Sequence, residues 1–222
     1  MKLYYFPTPN GHKVAIALEE MGLPHELCIV NILEGAQDDA AFRAINPNGR
    51  IPALVDGEVT LFESGAILQY LGRKSGRFYP AGEPGRAQVD SWLFWQMAGL
   101  GPMLGQVNWM LRAAAKPGRD PLETSLALHR FRAESRRLFA VLEGQLSSRD
   151  FICGDYSIAD MACWPWVDKY HAHAGDILAD FPGVSAWRDR IAARPAVQRA
   201  MIAGHDLLQL SPETAGRWAR KG

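Results

Sequence analysis

Residues 46–64, Asn46-Pro47-Asn48-Gly49-Arg50-Ile51-Pro52-Ala53-Leu54-Val55-Asp56-Gly57-Glu58-Val59-Thr60-Leu61-Phe62-Glu63-Ser64, decide the fold of the first part of the chain. Asn46-Pro47-Asn48-Gly49 consists of turn-forming residue types and predicts a loop. Two short apolar runs, 53–55 and 59–62, flank Asp56-Gly57-Glu58, and an Asp-Gly signal between such runs predicts a β-hairpin. Ser64 then opens a helix to about residue 74, with Ile67, Leu68 and Leu71 on one face.

Upstream, residues 2–6 read as an aromatic strand closed by Pro7-Thr8-Pro9-Asn10-Gly11, where two prolines forbid helix and Asn-Gly favours a turn. Val14, Leu18 and Met21 form the apolar stripe of a helix that Gly22 and Pro24 stop. Residues 25–30 read as a second strand, and Asp38 or Asp39 caps a short helix ending near Ile45. The order is β-α-β-α-β-β-α. Downstream, Pro80, Gly82 and Pro84 mark residues 76–85 as a linker. Beyond it only helical patterns remain, over 86–114, 122–146, 158–171, 184–193 and 196–203. The chain thus divides into an α/β domain over 1–75, the linker 76–85, an all-helical domain over 86–205 and a tail over 206–222 that lies loosely against the body. Ser157-Ile158-Ala159-Asp160 reads as a capping box, with Ser157 accepting from the Asp160 backbone and the Asp160 carboxylate reaching back to the Ser157 N–H. Tyr156 and Met161 flank it as a hydrophobic staple.

Composition excludes several function classes. The 222 residues carry 24 Lys+Arg against 24 Asp+Glu, and no basic footprint for nucleic acid or an anionic membrane stands out. The apolar run at residues 3–7 is too short for a signal peptide, and 97–111 is interrupted by glycines and polar residues and too short to span a bilayer. A cytoplasmic protein is expected. Cys28, Cys153 and Cys163 have no CxxC or zinc spacing, so neither a disulfide framework nor a metal site is expected. His171 and His173, near Asp168, diverge on a helix and make no metal pair.

The element order, the proline-containing linker and the capped central helix resemble the cytosolic glutathione transferases, which join a thioredoxin-like domain to an all-α domain. The segment 46–54 is similar to the loop carrying the cis-proline of that fold, and Phe62-Glu63-Ser64-Gly65-Ala66-Ile67 to the clamp for the γ-glutamyl end of glutathione. Residues 7–13, 93–96 and 99–106 resemble the bacterial Nu class. The resemblance implies a glutathione-dependent disulfide-bond oxidoreductase that is also a weak transferase or peroxidase, with glutathione as bound cosubstrate. It further implies small-molecule thiols and disulfides as partners, no metal, and a homodimer.

The residues offer contacts for each part of that tripeptide. A cis Ile51-Pro52 bond would leave the Ile51 N–H and C=O free to pair with a cysteinyl backbone. Ser64 at a helix start presents hydroxyl, N–H and positive dipole end to a carboxylate, and Glu63 can take an ammonium. Gln37 and Arg50 are candidates for the glycine carboxylate, and the family places an Arg of the partner helical lobe at the site, which Arg130 matches. The thiolate is the reactive species, so some group must favour ionised sulfur. By resemblance Thr8 and Asn10 contact the sulfur and are the candidate catalytic pair; taken alone, Thr-Pro-Asn-Gly is a turn with a helix cap. Tyr5, at the end of the first strand, is the alternative activator in a conventional conjugating transferase, and period-2 alternation does not say which strand face meets the site. A non-catalytic interaction module on the same fold is a further alternative. No cysteine falls at residues 7–13, so the reacting sulfur should come from glutathione, with the three cysteines inert. Trp92, Trp95 and Trp109 suit either core and interface or an aromatic wall for the substrate. The glycines of 99–105 suggest close helix packing or a bend. Trp164-Pro165-Trp166 reads as core, with a kink at Pro165.

Overall fold

A computed structural model describes residues 1–114, 121–174 and 177–204; the expected tail lies outside the described residues. β1 (Lys2–Tyr5) is the pivot of a four-stranded sheet of order β2-β1-β3-β4. It pairs parallel with β2 (Glu26–Ile29), Leu3 opposite Leu27, and antiparallel with β3 (Ala53–Asp56), Leu3 opposite Leu54. The parallel pair needs a crossover, supplied by α1 (Pro9–Met21), which Gly22 ends in the left-handed conformation at φ 67°. The Asp-Gly hairpin forms as expected, Asp56 opposite Val59, and joins β3 to β4 (Val59–Phe62).

Alternation along β1 sends Leu3 and Tyr5 to one face, where α1 and α3 (Ser64–Ser75) bury them with Leu18, Leu54 and Ile67. Tyr4 goes to the other face, against Phe42 of α2 (Ala40–Ile45). This is a thioredoxin-like arrangement, and an all-helical domain follows it. The pattern at 86–114 is one helical path with a defect: α4 (Gly85–Trp95), a π turn at Gln96–Leu100, then α5 (Gly101–Ala114). α6 (Pro121–Leu146), α7 (Ile158–Ala174), α8 (Pro182–Ala192) and α9 (Pro195–Ile202) complete it, with α7 running as one helix through Pro165.

α1 is shared by both domains. Most of its residues are buried; it packs on α7 and α9 as well as on α3, and it shares one core with Leu3 and Tyr5 of β1. Glu20 of α1, almost wholly buried, takes a bidentate pair from Arg194 at 2.5 and 2.8 Å, and Glu19 is bridged by Arg199 at 2.7 Å. The capping box forms with one change of partner. The Asp160 carboxylate accepts the Ser157 N–H at 3.0 Å as expected, but the Ser157 hydroxyl accepts from the Ala159 N–H. Asp160 also accepts from the Ile152 N–H and the Trp187 indole N–H, so it ties α7 to the preceding loop and to α8. Among the described residues, no helix is long and apolar enough to cross a membrane.

Candidate active site

A cavity of about 610 Å³ opens between the domains. The thioredoxin-like side contributes Asn10, Lys13, Arg50, Ile51, Pro52, Glu63 and Ser64; the helical side contributes Gln96, Met97, Gly101, Gly105 and Trp166.

The corner where β1 meets α1 is set by caps and close approach. Thr8 is the N-cap, its Oγ1 accepting the Gly11 N–H at 3.3 Å, and Pro9 occupies a position whose N–H would have no helical partner. A Cβ on Gly11 would stand 2.2 Å from the Phe6 carbonyl oxygen, so only glycine lets the first turn fold back against β1. Asn10 then faces the cavity, and its Oδ1 accepts from Trp166 Nε1 at 2.9 Å. An indole nitrogen only donates, which fixes the amide: its oxygen is the acceptor for Trp166, and its N–H groups take no part in that bond. The glycine pair explains how Trp166 gets there. A Cβ at Gly101 would lie 3.2 Å from Trp166 Nε1 and one at Gly105 3.2 Å from its Cη2, so the two clear a groove for the indole. Trp166, expected in the core, lines the cleft, whereas Trp164 is buried.

The opposite wall is the proline loop. Asn46 is buried and pins it twice, donating to the Arg50 carbonyl at 2.5 Å and accepting the Asn48 N–H at 3.0 Å. The Ile51-Pro52 bond is cis, as expected, and the strand ladder begins only at Ala53, leaving Ile51 outside it. Glu63 has φ 69° and ψ 114°, a conformation costing about 1–3 kcal/mol in a non-glycine residue. Its carbonyl accepts the Ile67 N–H while its side chain stays exposed at the cleft. Ser64 follows as the first residue of α3, buried, its Oγ 3.4 Å from Lys13 Nζ and 3.6 Å from Met97 Sδ.

Other candidates fall elsewhere. Thr8 is half-buried and outside the cavity lining. Tyr5 is fully buried, its hydroxyl 3.1 Å from His12 Nδ1, its pKa raised by burial; it does not line the cavity. Gln37 donates to Asp38 at 3.0 Å and lies beside the loop, its backbone oxygen 3.2 Å from where a Gly49 Cβ would stand, outside the lining. Arg50 is exposed in the lining, and Arg130 is exposed on α6, away from this chain's cavity. Trp92 and Trp95 stack edge-on at 5.1 Å and Trp109 is exposed; none of the three lines the cavity. The cysteines stand outside it too. Burial pushes the Cys153 thiol up to about 12 and Cys163 well above its ordinary value.

Sequence reasoning missed Lys13, Asn46, Gln96 and Trp166. Lys13 had a signal: it adjoins the apolar run Val14-Ala15-Ile16-Ala17-Leu18, and Glu20 lies seven residues on, so both charges share one helix face in an otherwise buried helix. Nothing local placed Gln96, the last residue of the 93–96 motif, or Trp166 in the cleft, since their positions depend on a π turn and on packing across 156 residues.

Comparison with known proteins agrees with the architecture. The family description "Glutathione S-transferase, N-terminal domain" matches residues 1–73, and "Glutathione S-transferase, C-terminal domain" matches 125–195. "Disulfide-bond oxidoreductase YfcG" of Escherichia coli is 44% identical over 208 residues, covering 90% of this chain and 94% of that protein. A glutathione transferase from Burkholderia graminis, solved with two glutathione molecules bound per subunit, is 42% identical with a TM-score of 0.83, covering 91% of this chain and 87% of the other. One from Pseudomonas putida, solved with one glutathione disulfide bound per subunit, is 37% identical with a TM-score of 0.82, covering 91% and 90%. The chain belongs to the glutathione S-transferase family.

Proposed function

We propose that the cleft binds glutathione and that the chain is a glutathione-dependent disulfide oxidoreductase of the Nu-class kind, with a weaker transferase activity. The observation that carries this reading is that Asn10 lines the cavity with its amide oxygen held by Trp166, so its N–H groups are the donors it has for a ligand. A thiolate accepts and cannot donate, so fixed N–H donors favour ionised sulfur over the thiol. The Thr8 hydroxyl oxygen accepts from Gly11, and its own O–H remains to donate at the same corner.

In this reading the cysteinyl backbone pairs with the Ile51 N–H and C=O beside Pro52. The γ-glutamyl carboxylate sits at Ser64 and the α3 N-terminus, and Glu63 takes the ammonium. Arg50 and Gln37 serve the glycine carboxylate, and Arg130 of the partner subunit completes the site in a homodimer. The glutathione thiolate attacks one sulfur of a disulfide; a mixed disulfide forms, the substrate S–S bond breaks, and the departing thiolate takes a proton from water. A second glutathione thiolate attacks the mixed disulfide, releasing the second thiol and oxidised glutathione. Two glutathiones thus supply the two electrons, and the protein binds and activates without using a thiol of its own. A reducing, cytoplasmic setting suits this chemistry.

Steady-state assays of small-disulfide reduction and aryl-halide conjugation, side by side, test the reading. It expects disulfide reduction to dominate, Thr8→Ala and Asn10→Ala to impair it, and Tyr5→Phe to leave it intact. Dominant conjugation that is lost in Tyr5→Phe would replace it with the conventional transferase.

A further inference from the structure

Lys13 is 1% exposed, at the floor of the cavity. Its Nζ meets Gln96 Oε1 at 2.6 Å, Ser64 Oγ at 3.4 Å and Met97 Sδ at 3.5 Å. An ammonium has three donors and no acceptor, and none of these partners carries a negative charge. Burial of a cation without an anion in contact draws Lys13 down from 10.5 to about 7, offset in part by the Glu63 carboxylate before α3. The π turn presents only the neutral Gln96 and Met97 to it, and Arg199 of α9 and Arg194 just before it are held by Glu19 and Glu20.

Gln96 shows that this arrangement is built. Gln96 turns its oxygen to Lys13, the orientation that serves the ammonium form, and its Nε2 is left buried with no partner among the described residues. A Cβ on Gly101 would come within 2.5 Å of that nitrogen, so glycine there is what admits the amide. An orphaned buried N–H2 is costly, and here it accompanies a hydrogen bond that joins the two domains under Ser64. The floor of the cleft therefore holds a buried lysine with no anion in hydrogen-bond contact and a helix N-terminus at one point.

We propose that Lys13, held by Gln96 across the domain boundary, is the counter-cation for the α-carboxylate of a γ-glutamyl ligand seated at Ser64. The inference rests on the reading of the cleft as a glutathione site and deepens it. The ligand carboxylate provides the anion that the protein withholds, so a γ-glutamyl group is preferred over the same chain lacking its α-carboxylate.

The test is calorimetric binding to wild type, Lys13→Met and Lys13→Gln of two ligands: S-methylglutathione and S-methylated γ-aminobutyryl-cysteinyl-glycine, which lacks only the α-carboxylate. Measurement at about pH 6, below the value to which burial draws Lys13, favours the protonated lysine. Wild type is expected to prefer S-methylglutathione by about tenfold or more, charge-assisted contacts being the strong ones. Both variants should lose about fivefold or more of that preference, S-methylglutathione being weakened more than the shortened ligand, the signature of a pair in a double-mutant cycle. A purely structural lysine would weaken both ligands equally and leave the preference unchanged. That result in either folded variant overturns the assignment of Lys13 alone, whereas no binding of S-methylglutathione by wild type overturns the glutathione reading with it.

Discussion

Replacing Trp166 by Phe keeps an aromatic ring in the groove over Gly101 and Gly105 and removes the N–H that holds Asn10 at 2.9 Å. A neutral hydrogen bond of this kind is worth about 1 kcal/mol net, which corresponds to about fivefold in rate if all of it is spent on orienting the amide. Asn10→Ala removes the donor itself, and a hydrogen bond to charged sulfur is worth about 1.5–3 kcal/mol, or roughly 10- to 150-fold. In steady-state reduction of a small disulfide by glutathione, Trp166→Phe should therefore lower kcat/KM about fivefold, less than Asn10→Ala does. The double variant decides the mechanism. Trp166 acts through Asn10, so in an Asn10→Ala background the loss of the indole N–H should add little. A full fivefold loss there would refute the argument and make Trp166 a packing residue.

Gly101→Ala brings a Cβ to 2.5 Å from Gln96 Nε2 and 3.2 Å from Trp166 Nε1, an overpacking expected to cost about 1–3 kcal/mol. Thermal melts should show it, with Gly82→Ala, which meets nothing within 4 Å, as the silent control. Arg194→Leu strands the buried Glu20 carboxylate between the domains and should cost about 3 kcal/mol in denaturant unfolding. Arg199→Leu, whose side chain is 58% exposed, should cost about 1 kcal/mol or less. Replacing Cys28, Cys153 and Cys163 together by alanine should leave disulfide reduction in place, because the reacting sulfur belongs to glutathione; loss of turnover in a folded triple variant would point to a protein thiol.

What was legible in the sequence was what local chemistry dictates. Asp56-Gly57 set the hairpin, Pro52 and Ser64 marked the loop and the start of α3, and the helix stop at Gly22 fell where a left-handed residue was needed. Half of the capping box was legible too, since the Asp160 carboxylate has one backbone donor within reach in sequence; its bonds to Ile152 and Trp187 come from tertiary packing. Alternation put Tyr4 and Tyr5 on opposite faces without saying which face was which. Packing of α1 and α3 over Tyr5 settles that. The helical wall of the cleft was the least legible part. The periodicity of residues 86–114 reads as one helix, and only the π turn turns Gln96 toward Lys13 and sets Gly101 and Gly105 beneath Trp166.

The central claim is that Asn10 helps to ionise the sulfur of bound glutathione. Thiolate absorbance of the glutathione complex, followed against pH in wild type and Asn10→Ala, tests it most directly. Wild type should titrate well below the free-thiol value of about 8.5, and Asn10→Ala about one to two pH units higher than wild type, the loss of a hydrogen bond to the charged form. Coincident titrations of the two proteins, or a wild-type midpoint at the free-thiol value, would contradict it.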